Sequence, residues 1–135
     1  MEEKLIEFET AKLAKEKGFN IPCDGRWWIE PASSWKFSKQ GVIKCDNSSD
    51  DSIARPTQSL LQKWLREIHN IHLEPKKNVD GYSCLVYPNY ELDAEFWVNY
   101  IMEMTDPETR KKLIHKTYEE ALEVGLLEGL KLIEL

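Results

Sequence analysis

Apolar positions recur at helical spacing in three stretches of the chain and alternate in several others, so the pattern predicts helices mixed with strands. In residues 7–17, with Ile6 just ahead, Ile6, Thr10, Leu13, Ala14 and Lys17 share one side, and the lysine stem can cover apolar surface. Gly18 supplies a left-handed stop, and Pro22 blocks continuation. A second helix follows Pro56, with Thr57 as its N-cap and Asn70 as its left-handed end. Its stripe is Leu60, Leu61, Trp64, Leu65 and Ile68, opposite Gln62, Lys63, Arg66 and Glu67. The third begins at a capping box, Thr117 with Glu120, and gathers Tyr118, Ala121, Leu122, Gly125, Leu126, Gly129, Leu132 and Ile133 on one side. Each glycine in that stripe costs about 1 kcal/mol of helix propensity relative to Ala. The pattern therefore predicts close approach of a bulky strand residue, such as Trp or Tyr.

Strands are predicted at residues 26–30, 34–37 and 41–45, from aromatic and β-branched enrichment between turn residues. Residues 46–52 hold no apolar side chain and read as an exposed loop. Ile71, His72, Leu73 and Glu74 alternate as a strand that Pro75 closes, residues 76–81 turn, and residues 82–87 form another strand. Residues 89–104 satisfy two templates. As a helix, Leu92, Phe96, Trp97, Tyr100, Ile101 and Met104 share a face; as a strand, Phe96, Val98, Tyr100 and Met102 do. Asp106, Pro107, Glu108 and Thr109 suit a type I turn or a helix start. Aromatic and β-branched content tips the reading to a hairpin that returns through residues 112–115. The expected fold is a single α+β domain over residues 1–135, with three main helices packed on one face of a small, mostly antiparallel sheet.

Composition changes this picture little: 135 residues, 41% hydrophobic and 31% charged, are the balance of a globular chain. Charge adds more. Residues 1–80 carry 13 acidic and 13 basic side chains, so the whole net charge of -6 lies in the last 55 residues. That argues against general duplex-DNA binding, which needs clustered Lys and Arg. Cys23, Cys45 and Cys84 are odd in number and widely spaced, and predict free thiols rather than disulfides. No apolar run is long enough to span a bilayer and the N-terminus has no signal-peptide pattern, so the expected location is the cytoplasm.

Three segments carry a resemblance: Glu9 through Phe19 (ETAKLAKEKGF), Arg55 through His72 (RPTQSLLQKWLREIHNIH) and Thr117 through Ile133 (TYEEALEVGLLEGLKLI). They resemble an uncharacterised group of small proteins encoded in phages and prophage-like elements of Bacteroidota. The resemblance covers the three helices and implies a mobile-element accessory protein in a bacterial host. It implies no activity, cofactor or catalytic residue.

His69, His72 and Cys84 are of types that bind zinc, but a histidine ending a helix and one on the following strand make no closed ligand motif. The blander reading places His69 at a helix end favoured by the dipole and His72 outward on its strand. No cofactor is expected, and no nucleophile elbow, phosphate loop or metal-hydrolase motif is present, so the chain reads as a non-enzyme. The main anomaly is Arg26, Trp27 and Trp28 with Trp35, Lys36, Lys39 and Lys44. Adjacent tryptophans on a strand face opposite ways, so one of the pair should be partly exposed. Coverage by a loop such as 46–52 or by a second copy is the first reading. Protein contact is the second, and stacking on single-stranded nucleic acid the third. Leu127, beside Val124 on the acidic side of the last helix, is a further candidate contact. The leading expectation is an accessory protein acting through a protein partner or self-association.

Overall fold

The computed structural model describes residues 3–29, 35–39, 47–48, 50–88 and 94–133. In chain order its elements are α1 (Phe8–Glu16), β1 (Gly25–Ile29), β2 (Trp35–Lys39), β3 (Ser52–Arg55), α2 (Gln58–His69), β4 (His72–Asn78), β5 (Gly81–Tyr87), α3 (Ala94–Thr105), α4 (Pro107–Leu113) and α5 (Tyr118–Lys131). The architecture is α+β, but the strands form two antiparallel sheets rather than one: β2-β1-β3 and β4-β5. Five helices, not three, are present among the described residues.

The three helices legible in the sequence are the ones that build the core. Ala11 and Ala14 of α1, Leu61, Trp64 and Leu65 of α2, and Leu122, Leu126 and Leu130 of α5 join Ile53 and Ala54 of β3 and Leu73 of β4 in one continuous cluster. Their ends follow local rules. Thr57 accepts from Leu60 N–H at 3.2 Å, and Asn70 closes α2 at φ 54°. Thr117 accepts from Glu120 N–H at 3.1 Å, while the Glu120 carboxylate reaches back to Lys116 N–H. Three stripe positions depart from expectation. Ile68, in the last turn of α2, is 65% exposed, and Leu132 and Tyr118, at the ends of α5, are also exposed.

Gly125 and Gly129 do mark close approach, but not to an aromatic residue. A Cβ on Gly125 would strike Cys84 Sγ and lie 3.0 Å from Cys84 Cβ. One on Gly129 would lie 3.3–3.4 Å from methyl groups of Leu73, Ile71 and Leu65. Small and aliphatic strand residues let α5 lie flat on the β4-β5 sheet, which rings would prevent.

Beyond the core helices, several expectations need correction. Ser52 is buried and opens β3, whose Ile53 and Ala54 are core residues, so the loop ends earlier than its polarity suggested. Asn47 steadies that approach, donating to Phe19 O at 2.6 Å and accepting from Ala54 N–H at 2.7 Å. Pro75 does not close β4. It stands opposite Cys84, in a pair whose backbone polar groups point away from each other, so its missing N–H costs no ladder bond. The hairpin then turns tightly at Val79 and Asp80. Gly81, at φ 154°, is required there because a Cβ would run into Ile114 and the His115 carbonyl. The strand expected at 41–45 lies outside the described residues.

Residues 94–113 are two helices and not a hairpin. The Asp106 carboxylate accepts from Thr109 N–H and Oγ1, and Pro107 occupies the first turn of α4, where a missing N–H is harmless. What remains of the returning strand is one bridge, with His115 N–H to Tyr82 O at 2.7 Å and Tyr82 N–H to His115 O at 2.8 Å. None of the described helices is long and apolar enough to cross a membrane.

Candidate functional site

The structure separates the aromatic residues singled out in the sequence. Trp27 turns to the core side of β1, meets the Phe8 ring edge-on at 5.3 Å and lies under the Arg55 guanidinium at 4.7 Å. Trp28 faces the other way, with Arg26 over its ring at 4.2 Å. Both tryptophans are half-buried. Trp35 and Lys36 pair with Ile29 and Trp28 in the strand register; their side chains lie outside the described residues. Leu127 is half-buried rather than exposed, and its neighbour Val124 is 44% exposed. Trp27 and Trp28 therefore do not share one face of the sheet.

Nor do His69, His72 and Cys84. His69 packs edge-on to Trp64 at 4.6 Å. His72 is buried rather than outward: it stacks on Tyr87 at 5.4 Å and its Nε2 meets Asn70 Oδ1 at 3.1 Å. Strand parity puts His72 and Cys84 on opposite faces of the β4-β5 sheet. Among the described residues no three His, Cys, Asp or Glu side chains group as metal ligands would.

One conspicuous polar cluster is internal. Glu123 of α5 accepts from Glu7 N–H at 3.0 Å, from Thr10 Oγ1 and from Gln58 Nε2 at 3.0 Å. Gln58 Nε2 also donates to Glu119 O at 2.9 Å, and Arg55 donates to Ile6 O and faces Glu7. Burial pulls the Arg55 pKa below its usual value, and Glu7 and Glu123 oppose that shift. Every bond in this cluster ties one element to another, so its work is structural: it clips α1, β3, α2 and α5 together.

The unusual surface lies on the opposite face of α5. α3 buries none of its residues, although it is largely apolar. Trp97, Val98, Ile101 and Met102 are 39–63% exposed. Phe96 and Tyr100 point back toward the body, and Phe96 meets Tyr87 edge-on at 6.3 Å. α4 anchors this helical pair. Arg110 bridges to Asp80 in the β4-β5 turn at 2.5 Å and donates to Met104 O at 3.3 Å. That pairing holds the Asp80 carboxyl below its ordinary pKa and raises Arg110 above its own.

Between this helical pair, α5 and β5 lies a cavity of about 370 Å³. Its walls include Phe96, Tyr100 and Met104 of α3, Leu113 of α4 and Val124 of α5, and its floor is the run Ser83, Cys84, Leu85 and Val86. Asn99, Glu103, Lys112, His115 and Glu128 supply polar edges. A mainly apolar cavity of this size, with a few polar groups, has the character of a binding site. Burial pushes the Cys84 thiol up to about 12, so it stays protonated at neutral pH, and its Sγ–H donates to Leu85 O at 3.7 Å. A thiol held that way is a poor nucleophile.

Sequence patterning missed this site because its apolar residues were absorbed into a presumed hairpin. The available signal was the helix template at 92–104, which left more apolar positions than one buried face needs. Cys23 and Cys84 are both free thiols. Set against known proteins, the chain matches no family model, no curated protein and no solved structure, and the geometry of the site itself must carry the functional reading.

Proposed function

We propose that this chain is a non-enzymatic accessory protein of a mobile genetic element, working in the bacterial cytoplasm through contact with a protein partner presented to α3. One observation carries the reading: a helix of twelve residues that buries none of them, while Trp97, Val98, Ile101 and Met102 stand 39–63% exposed. Isolated exposed apolar residues need no explanation, but four within six positions form a patch of the kind that partners cover. Trp is also a preferred anchor at interface centres. The neutral Cys84 thiol supports a binding role over nucleophilic catalysis. The resemblance of the three core helices to phage-encoded proteins supports the setting.

Placing a photo-crosslinking amino acid at Ile101, with the still more exposed Val79 as control, tests the reading in cells that carry the gene. A discrete adduct with another protein at Ile101, and none at Val79, is expected. An adduct at twice the chain's own mass would assign the patch to self-association. Absence of any adduct specific to Ile101 would overturn the proposal.

A further inference from the structure

The floor of the cavity is unusual because four consecutive strand residues line it. Side chains of a strand alternate between faces, so such a run means that the cavity follows the strand's edge. The hydrogen-bond register says which backbone groups look into it. Tyr82 exchanges both of its backbone bonds with His115, on the side away from β4. By alternation Cys84 and Val86 turn their N–H and C=O groups to that same side. No described residue meets them there: the chain leaves the edge after His115, where Leu113 already belongs to α4. Among the described residues the edge is thus open for two pairing positions beyond the one that His115 fills.

We propose that this open edge takes an extended segment of the partner protein as an added β-strand. Cys84 and Val86 supply the main-chain bonds, and alternate side chains of the segment enter the cavity beneath α3. The inference rests on the protein-contact reading above and names the form of the partner. Main-chain pairing supplies affinity in such additions, and pockets for alternate side chains supply selectivity. The cavity walls, Phe96, Tyr100, Met104, Leu113 and Val124, call for apolar or aromatic side chains at those positions. The same edge of a second copy of this chain is not the occupant. Its β5 edge is recessed between α3 and α5 in the same way, so two such edges cannot meet. A single extended chain can enter the recess, continuing the line that the Tyr82–His115 bridge begins.

Selection of a displayed library of random linear dodecapeptides on the intact chain tests this directly. Enriched sequences are expected to carry apolar residues at alternate positions. In the best binder, N-methylation of alternate backbone amides should weaken binding about tenfold or more, while methylation of the intervening amides should change it less than twofold. Val86→Pro, which removes an N–H that faces only the open edge, should weaken the same peptide about as much. The peptide scan keeps the test valid if that variant fails to fold. Enriched peptides with helical spacing, indifferent to N-methyl alternation and to Val86→Pro but lost with Trp97→Ser, would overturn the strand inference and leave the α3 contact surface standing. A library yielding no binder would also overturn it, while the crosslinking at Ile101 would still decide the broader reading.

Discussion

Substituting the two glycines of α5 separates close packing from helix propensity. Alanine at either position gains about 1 kcal/mol of propensity over glycine. At Gly125 the new methyl would overlap Cys84 Sγ and stand 3.0 Å from Cys84 Cβ and 3.2 Å from Leu73 Cδ2. Cys84 sits mid-strand, so rotating Sγ away leaves its Cβ crowding the new methyl, and full relief requires α5 to shift off the sheet. Overpacking of this kind costs about 1–3 kcal/mol, which leaves Gly125→Ala up to about 2 kcal/mol less stable than the native chain. At Gly129 the nearest atoms are methyl ends at 3.3–3.4 Å, free to move a few tenths of an ångström. There the propensity gain roughly offsets the crowding, and Gly129→Ala should fall within about 0.5 kcal/mol of native. Urea unfolding followed by circular dichroism and tryptophan fluorescence measures both, provided the slope with denaturant is shared. Cys84→Ala in the Gly125→Ala background should recover part of the loss, a coupling absent with Gly129→Ala. A Gly125→Ala midpoint at or above native, or a larger loss at Gly129, would refute the close-packing argument.

Other consequences follow from the same geometry. Glu123→Ala strands the Thr10, Gln58 and Glu7 donors and should cost about 2–3 kcal/mol in urea unfolding, against near-zero loss for Glu128→Ala in its exposed pair with Lys131. Asp80, held below its ordinary pKa by Arg110, stabilises the anchor of α4 above the unfolded carboxyl pKa and loses that effect as pH falls through the lower folded value. A carboxyl titration followed by nuclear magnetic resonance should show the depressed midpoint, and Arg110→Ala should restore the ordinary one. Residue-resolved hydrogen exchange should find the Cys84 and Val86 amides far less protected than Leu85 and Tyr87; equal protection along β5 would close the open edge. Cys84 should resist alkylation in the native chain at pH 8 and react promptly in urea, since burial keeps its thiol protonated.

What the sequence determined by itself is the set of elements whose signals are local. α1, α2 and α5 were legible because periodic apolar stripes, a Thr cap at each of the latter two and Gly18 or Asn70 at the ends all act within a few residues. The first strand pair was legible from aromatic and β-branched runs. Close packing at Gly125 was legible too, though its partner was not. Tertiary structure alone decided the rest. Whether Ser52 is loop or strand depends on β1 lying beside it, and whether Pro75 breaks β4 depends on which edge its nitrogen faces. Residues 94–105 fit both periods because their many aromatic and β-branched side chains suit a strand as well as a helix, and the narrow polar stripe of Glu95, Asn99 and Glu103 did not outweigh them. The same property hid the site. An open strand edge is a matter of which neighbour is missing, and no residue type encodes the departure of α4 from β5 after one bridge. The sequence set the local conformations, and the placement of the α3–α4 pair over the edge of β5 emerged only when distant segments were brought together.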